Sequence, residues 1–375
     1  MNDDLHARAM RVTPLASQTR SRAWPFVGTE RYPRFASHAE GLYLYDLHGR
    51  EYIDLAGANA AVPLGYRHPL VEQSVLSALT KGTSLSLPIE EDEIVSRLMV
   101  EAVPGAEMVR WVKTGSEAVQ AACVTAQART GRETIVKIKG NYHGWHGNLV
   151  RADLVSDVDV ARLIVEQTAV AAVLWEPPRF EFVDIVGLQA LRAACTQRGT
   201  ALVSDEVVWG CRWATDGSRS ITGVRPDIAC FSKALGNGHP VACIVGPADW
   251  IEPCWAVVSS TYGGERVGLA AARAVLELHK SDPVCARLRQ IGQTLREAID
   301  AGLEGSHMCR VGVWDVHFRF GDVEHDCARF DRFLDRCLDH GVLVHRSANN
   351  VCLPMLGHEQ DIAERIAMAA HGHGR

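Results

Sequence analysis

Two patterns of hydrophobic and polar positions divide the chain. Between residues 109 and 245, short apolar-rich runs recur at 109–112, 135–138, 169–174, 201–204, 228–231 and 241–245. Runs of this length that do not alternate are strands buried on both faces. The segments between them carry helical spacing. Leu188, Leu191 and Cys195 share one face of a helix that Gly199 ends, and a small-residue helix over 118–128, with Ser116 as its N-cap, is closed by Gly131. Buried strands alternating with helices predict an α/β fold with a mostly parallel, doubly wound sheet. Before this region, residues 1–40 are polar and broken by Pro14, Pro25 and Pro33, and are read as an extended arm. A hairpin follows over 41–54, turning at His48-Gly49. Helices are expected over 70–79, with Val71, Val75 and Ala78 on one face, and over 91–100, stopped by Pro104-Gly105. After residue 265 come a helix at 268–279, alternation at Val316, Phe318 and Phe320, short strands at 341–344 and 351–353, and a helix at 361–370. These make a smaller α+β lobe. The expected division is an arm and part of the small lobe over 1–45, a large domain over 46–265, and a small C-terminal domain over 266–375.

Composition narrows the partners. With 375 residues the chain is long enough for two lobes, and its net charge of −6 comes without any basic block, which argues against nucleic acid. No apolar run approaches the roughly 20 residues that span a bilayer. The first residues, Met1-Asn2-Asp3-Asp4, lack the pattern of a secretory signal, so a soluble cytoplasmic protein is expected. Eleven cysteines, an odd number with no CxxC pair, read as reduced and mostly buried thiols, with no zinc site. The tail 371–375 is read as disordered.

Candidate chemistry collects at the ends of the apolar runs. Lys233 follows the run 228–231 and precedes the turn Gly236-Asn237-Gly238, and it is one of only six lysines. Asp205 ends the run 201–204. In an open parallel sheet, ligands lie at the carboxyl ends of strands. A desolvated lysine is the usual Schiff-base nucleophile, although a strand-end lysine reaching out to water fits this pair equally well. Thr114-Gly115-Ser116 opens a helix after a strand, where free N–H groups attract an anion. It matches neither a Walker loop nor a dinucleotide fingerprint. Tyr142-His143-Gly144-Trp145-His146 offers rings for stacking on a flat heterocycle or simply for packing; a metal is disfavoured because no further ligand stands nearby. Asp205 could cap a helix, pair with a cation, or keep a pyridine nitrogen protonated. An amine, a carboxylate, an anion turn and an aromatic platform are the contacts that pyridoxal 5′-phosphate requires.

From residue 41 to 362 the chain resembles the class III pyridoxal-phosphate aminotransferases of fold type I, in the branch around glutamate-1-semialdehyde aminomutase. Leu64-Gly65-Tyr66-Arg67-His68-Pro69 is similar to the family's opening pattern, and Thr114-Gly115-Ser116-Glu117-Ala118 to its SGTEA segment. Tyr142-His143-Gly144 matches YHG, Glu176-Pro177 matches EP, and Asp205-Glu206-Val207 with Gly210 and Arg212 resembles the DEV segment. Pro226-Asp227, Ser232-Lys233 and Gly236-Asn237-Gly238-His239-Pro240 follow the family's lysine segment. The resemblance implies a large domain with a mostly parallel seven-stranded sheet and a smaller lobe. It also implies roles. Lys233 would form the Schiff base and move the proton, and Asp205 would keep the ring nitrogen protonated. Val207 and Tyr142 would sandwich the ring, Glu176 would belong to the cofactor site, and Gly115, Ser116 and, from the neighbouring subunit, Thr261 would bind phosphate. A homodimer with shared sites follows.

Some segments depart from the pattern. Glu265-Arg266 stand where the family has Asn-Pro, and the stretch between His146 and Ala169 is short. Ser347-Ala348-Asn349-Asn350 lacks the acidic residue of aminomutases. Arg20 and Arg22 in the arm do not reproduce the aminomutase carboxylate-binding segment. The expected function is therefore amino transfer from an amino acid donor to an aldehyde or ketone of a biosynthetic intermediate (a sugar, nucleoside or natural-product precursor) by a ping-pong cycle. The alternative is a 2,1-aminomutase. A racemase or decarboxylase using the same lysine, and a non-catalytic binding module, are weaker rivals.

Overall fold

The computed structural model describes residues 2–147 and 153–372. The chain forms two compact units, one of Pro69–Pro178 with Phe182–Ala286, the other of Met1–His68, Arg179–Glu181 and Arg287–Arg375. The hairpin region up to His68 thus belongs with the C-terminal segment, and the helix Arg266–Ser281 with the sheet domain. The division falls at 68/69 and 286/287, where the sequence reading placed it at 45 and 265.

The larger unit is built on seven strands in the spatial order Met108–Val112, Ala242–Gly246, Ile228–Phe231, Ala201–Asp205, Val170–Trp175, Thr134–Ile138 and Asp153–Val155. Only Ala242–Gly246 runs against the rest, pairing antiparallel with both neighbours. Burial on both faces accounts for the lack of alternation. Ala172, Leu174, Val203 and Cys230 face the helix Gly115–Thr130, while Val173 and Leu202 meet Leu188, Leu191 and Cys195 on the other face. Ala118, Ala122 and Ala126 line that first helix, and their short side chains let its backbone lie close on the sheet. Each leucine or valine buried here adds about 1.5–3 kcal/mol.

In the smaller unit, Ala36–Glu40, Tyr43–Asp46 and Glu51–Asp54 form an antiparallel meander, and Val342–Leu343 adds parallel to its last strand. A second sheet joins Met308–Val311, His317–Asp322 and Asn349–Asn350. Three expectations fail here. The arm is not extended: Asn2–Val12 is a helix, followed by short helical turns up to Val27 and then by the strand Ala36–Glu40. Proline at the first turn of a helix costs little, so Pro14 and Pro25 start turns where they were read as breaks. Residues 351–353 do not form a strand; pairing stops at Asn350 and Leu353–Met355 is a 3-10 turn. The helices Val284–Gly302 and Cys327–Asp339 went unread because their polar faces are rich in charge and hide the apolar stripe. The tail reading is overtaken in part, since Glu359–His371 is helical; residues 373–375 lie outside the described residues, as do 148–152 in the short stretch after His146.

None of the eleven cysteines is in a disulfide, and nine are buried, as their apolar neighbours in the sequence require. Among the described residues no helix is long and apolar enough to cross a membrane, and no cluster of three or more His, Cys, Asp or Glu could hold a metal.

Candidate active site

Sheet register brings the two leading residues together. Asp205 is the last residue of its strand and pairs with Cys230 on the next, so Lys233 stands three residues beyond that rung, at the same edge. The backbone at Lys233 is left-handed, with φ 47°. A side chain with a Cβ pays strain of about 1–3 kcal/mol to stay there, a cost that concentrates at functional positions. Lys233 opens the turn Lys233–Gly236, and Ser232 Oγ donates to the carbonyl of Val241 at 3.0 Å, which anchors the residue before it.

Asp205 is buried and held from two sides. The ring Nδ1 of His143 donates to Asp205 Oδ2 at 2.8 Å, and the N–H of Val207 donates to Oδ1 at 3.1 Å. His143 itself is 3% exposed, and its Nε2 is buried with no hydrogen-bond partner among the described residues. The sequence suggests stacking or packing for this ring, with a metal disfavoured, and does not point to a bond with Asp205. The signal that could have found it is its place directly after Tyr142, in the segment that follows the strand Thr134–Ile138.

A helix opens after the strand Met108–Val112, as the sequence predicts, but its N-cap differs. The helix begins at Gly115, and Thr114, not Ser116, is the N-cap: Thr114 Oγ1 accepts from the N–H of Glu117 at 3.2 Å, and Glu117 Oε2 accepts from the N–H of Thr114 at 2.8 Å. That reciprocal box occupies the neighbouring donors. The N–H groups of Gly115 and Ser116 keep no acceptor among the described residues, which suits a phosphate at the positive helix end. Gly115 is required by its neighbour, since a Cβ there would lie 2.8 Å from a Val207 methyl. A Cβ on Gly144 would come closer still to its neighbour, 2.2 Å from Ser116 Oγ. The anion turn, the Val207 wall and the Tyr142–Gly144 loop therefore meet at one place, and the group they could hold is a flat ring bearing a phosphate. Gly115→Ala should drive Val207 out of position at a cost of about 1–3 kcal/mol. We expect a lower unfolding temperature and weaker uptake of pyridoxal phosphate, both measurable on the purified protein.

The remaining residues fall into place unequally. Glu176, directly after its strand, accepts the N–H of Tyr142 at 2.9 Å, while its backbone carbonyl accepts from Asn141 Nδ2 at 2.9 Å, so it positions the aromatic loop. The Tyr142 side chain is 62% exposed. Thr261 is also exposed, and among the described residues no hydrogen bond joins it to Gly115 or Ser116. Glu206, next to Asp205, is fully enclosed and accepts from the hydroxyls of Ser204 and Ser218 and from the Ser218 N–H at 2.9 Å. Burial pushes its carboxyl up to about 7 despite these donors. A folded pKa above the unfolded one of about 4.3 means that the native state keeps a proton the unfolded chain has lost, so stability falls as pH rises from about 4.3 through 7. Glu206→Gln should flatten that part of the stability–pH curve, as thermal unfolding between pH 4 and 8 would show.

A cavity of about 580 Å³ lies within the smaller unit, lined by Trp24, Arg34, Asp54, Asn59, Tyr66 and His345 among others. Its wall includes Ala58 and Asn59, from the turn Gly57–Ala60, whose successive φ values of 53°, 49°, 60° and 69° are left-handed. None of the residues predicted for the site lines this cavity.

The family model for class-III aminotransferases matches residues 27–155 and 151–368. The chain belongs to the class-III aminotransferase family. Its cofactor is pyridoxal 5′-phosphate, and the open N–H groups, the cramped Gly115 and the enclosed Asp205 fit that molecule. Solved structures agree on the fold. The FumI protein of Sphingopyxis sp. MTA144, in its PLP internal aldimine form, has a TM-score of 0.91 at 24% identity, over 99% of this chain and 96% of that one. An omega-transaminase from Sphaerobacter thermophilus gives 0.87 at 24%, over 99% and 97%. A glutamate-1-semialdehyde aminomutase from Pseudomonas aeruginosa PAO1 gives 0.84 at 18%, over 99% and 94%. This class-III aminotransferase therefore shares fold type I with all three, its seven-stranded sheet included.

Proposed function

We propose that this class-III aminotransferase moves an amino group from an amino acid to the aldehyde or ketone of a biosynthetic intermediate, in two half-reactions. The observation that carries the reading is Asp205: buried at a strand end, fixed by His143 and the Val207 N–H, one strand from a lysine in a strained backbone. When bound, pyridoxal phosphate supplies an electron sink for the charge left on the substrate carbon. Asp205 keeps a proton on a ring nitrogen, and His143 keeps Asp205 in place for it. The Lys233 amine carries the proton to and from carbon, work that adds typically ~10²–10⁴-fold. Gly115 and Ser116 bind phosphate, Val207 and Tyr142 cover the two ring faces, and Glu176 sets the Tyr142 loop.

Two features support transfer between molecules over internal transfer. Where aminomutases carry an acid, Asn349 and Asn350 serve the fold. Asn349 Oδ1 accepts from the His345 N–H at 2.9 Å, and Asn350 Oδ1 accepts from His317 Nδ1 at 2.7 Å. The arm, moreover, lacks the aminomutase carboxylate segment. A homodimer supplying Thr261 across its interface is part of the same proposal; exposed Leu87 (77%), Trp255 (77%) and Tyr262 (58%) on the larger unit support it.

The test is the visible spectrum of the purified protein with pyridoxal phosphate, followed by borohydride and peptide mass mapping. An adduct on Lys233, and colour bleached by glutamate or alanine, are expected. Product formed without any amino donor would overturn intermolecular transfer in favour of an aminomutase. A protein that gains neither colour nor adduct would overturn both.

A further inference from the structure

Lys113 directly precedes the anion turn, and its ammonium does not point to water. It pairs with Glu265, the two side chains being 16% and 11% exposed. Glu265 is engaged twice over, because it also caps the helix Arg266–Ser281 by accepting from the N–H groups of Val267 at 2.9 Å and Gly268 at 2.6 Å. The pair sits in a tight recess. A Cβ on Gly268 would fall 2.7 Å from Lys113 Nζ, 2.8 Å from Glu265 Oε1 and 2.9 Å from the Pro240 carbonyl, so only glycine admits it.

Three segments meet at this point. Lys113 comes from the anion turn, Pro240 ends the segment that follows Lys233, and Glu265 ends the turn that carries Thr261. A carboxylate stands at 265 where the resemblance expects asparagine, and one of only six lysines in the chain reaches it. An ion pair this enclosed adds little net stability, but breaking it is costly, because the survivor is left charged and without its partner. Such a pair fixes geometry more than it adds to stability.

We propose that Lys113 and Glu265 are a positioning pair that holds the anion turn in register with the Lys233 and Thr261 segments. The chain's grip on the phosphate of its cofactor then depends on the pair, while its grip on the ring does not. This rests on the assignment of Gly115 and Ser116 as the phosphate turn.

The experiment compares pyridoxal 5′-phosphate with pyridoxal, which lacks the phosphate, by absorbance titration of apo-protein. It uses wild type, Lys113→Met, Glu265→Gln and the double variant. The preference for the phosphorylated form should fall roughly tenfold in each single variant, as couplings of contacting residues allow. The double variant should lose no more than the worse single one. It also guards against misfolding, since removing both charges together leaves neither stranded. An unchanged preference in all variants, or equal weakening of both ligands, would overturn the inference and leave the aminotransferase reading standing. A wild type with no preference for the phosphorylated form would overturn the phosphate-turn assignment and the inference with it.

Discussion

Replacing Lys233 by alanine is expected to lower the rate of amino transfer by at least ~10²–10⁴-fold, the usual contribution of a positioned acid–base group. Covalent capture of the cofactor goes too, so the measured loss should exceed that range, and borohydride should leave no adduct at position 233. Folding should survive. Lys233 itself is left-handed, φ 47°, at the start of a 3-10 turn whose other residues are buried, and alanine carries the same backbone strain. Unchanged thermal unfolding together with lost turnover would place the residue in the chemistry. Retained turnover would remove the lysine from its proposed role.

Asp205→Asn is the second large effect. The substitution keeps shape and volume but removes the negative charge enclosed by His143 and the Val207 N–H. In the proposed role, loss of that charge would make the proton on the cofactor's ring nitrogen easier to lose and so weaken the electron sink that the cofactor supplies. Loss of one preorganised electrostatic group of this kind costs about 10²–10³ in turnover. We expect that loss in both half-reactions, measured separately by stopped-flow absorbance, with pyridoxal phosphate uptake at the anion turn largely retained. Loss of uptake with turnover per bound cofactor unchanged would instead make Asp205 a binding residue alone.

Much of the proposed site is legible in the chain because its residues sit at pattern boundaries. Lys233, Asp205 and Glu176 each end or follow an apolar run, and a run buried on both faces announces its own end. Gly115 is marked by the strand-to-helix change around it. Local chemistry set these features, and local chemistry can be read from neighbours in sequence.

What lay beyond the sequence depends on contacts between distant segments. His143 gains its role from Asp205, 62 residues away, and Lys113 from Glu265, 152 residues away. The N-cap moved from Ser116 to Thr114 because Glu117 reaches back to close a box, a choice among adjacent candidates that only geometry settles. The arm's helix and the helices Val284–Gly302 and Cys327–Asp339 are hard to read because charged residues are interspersed along their lengths. The hydrophobic pattern determined by itself a mostly parallel α/β sheet with the proposed site residues Glu176, Asp205 and Lys233 at the edge where its strands end, since burial on two faces admits few other arrangements. Which side chains then support one another at that edge was decided by tertiary packing, because a hydrogen bond or ion pair forms only where the fold brings both partners within about 3 Å.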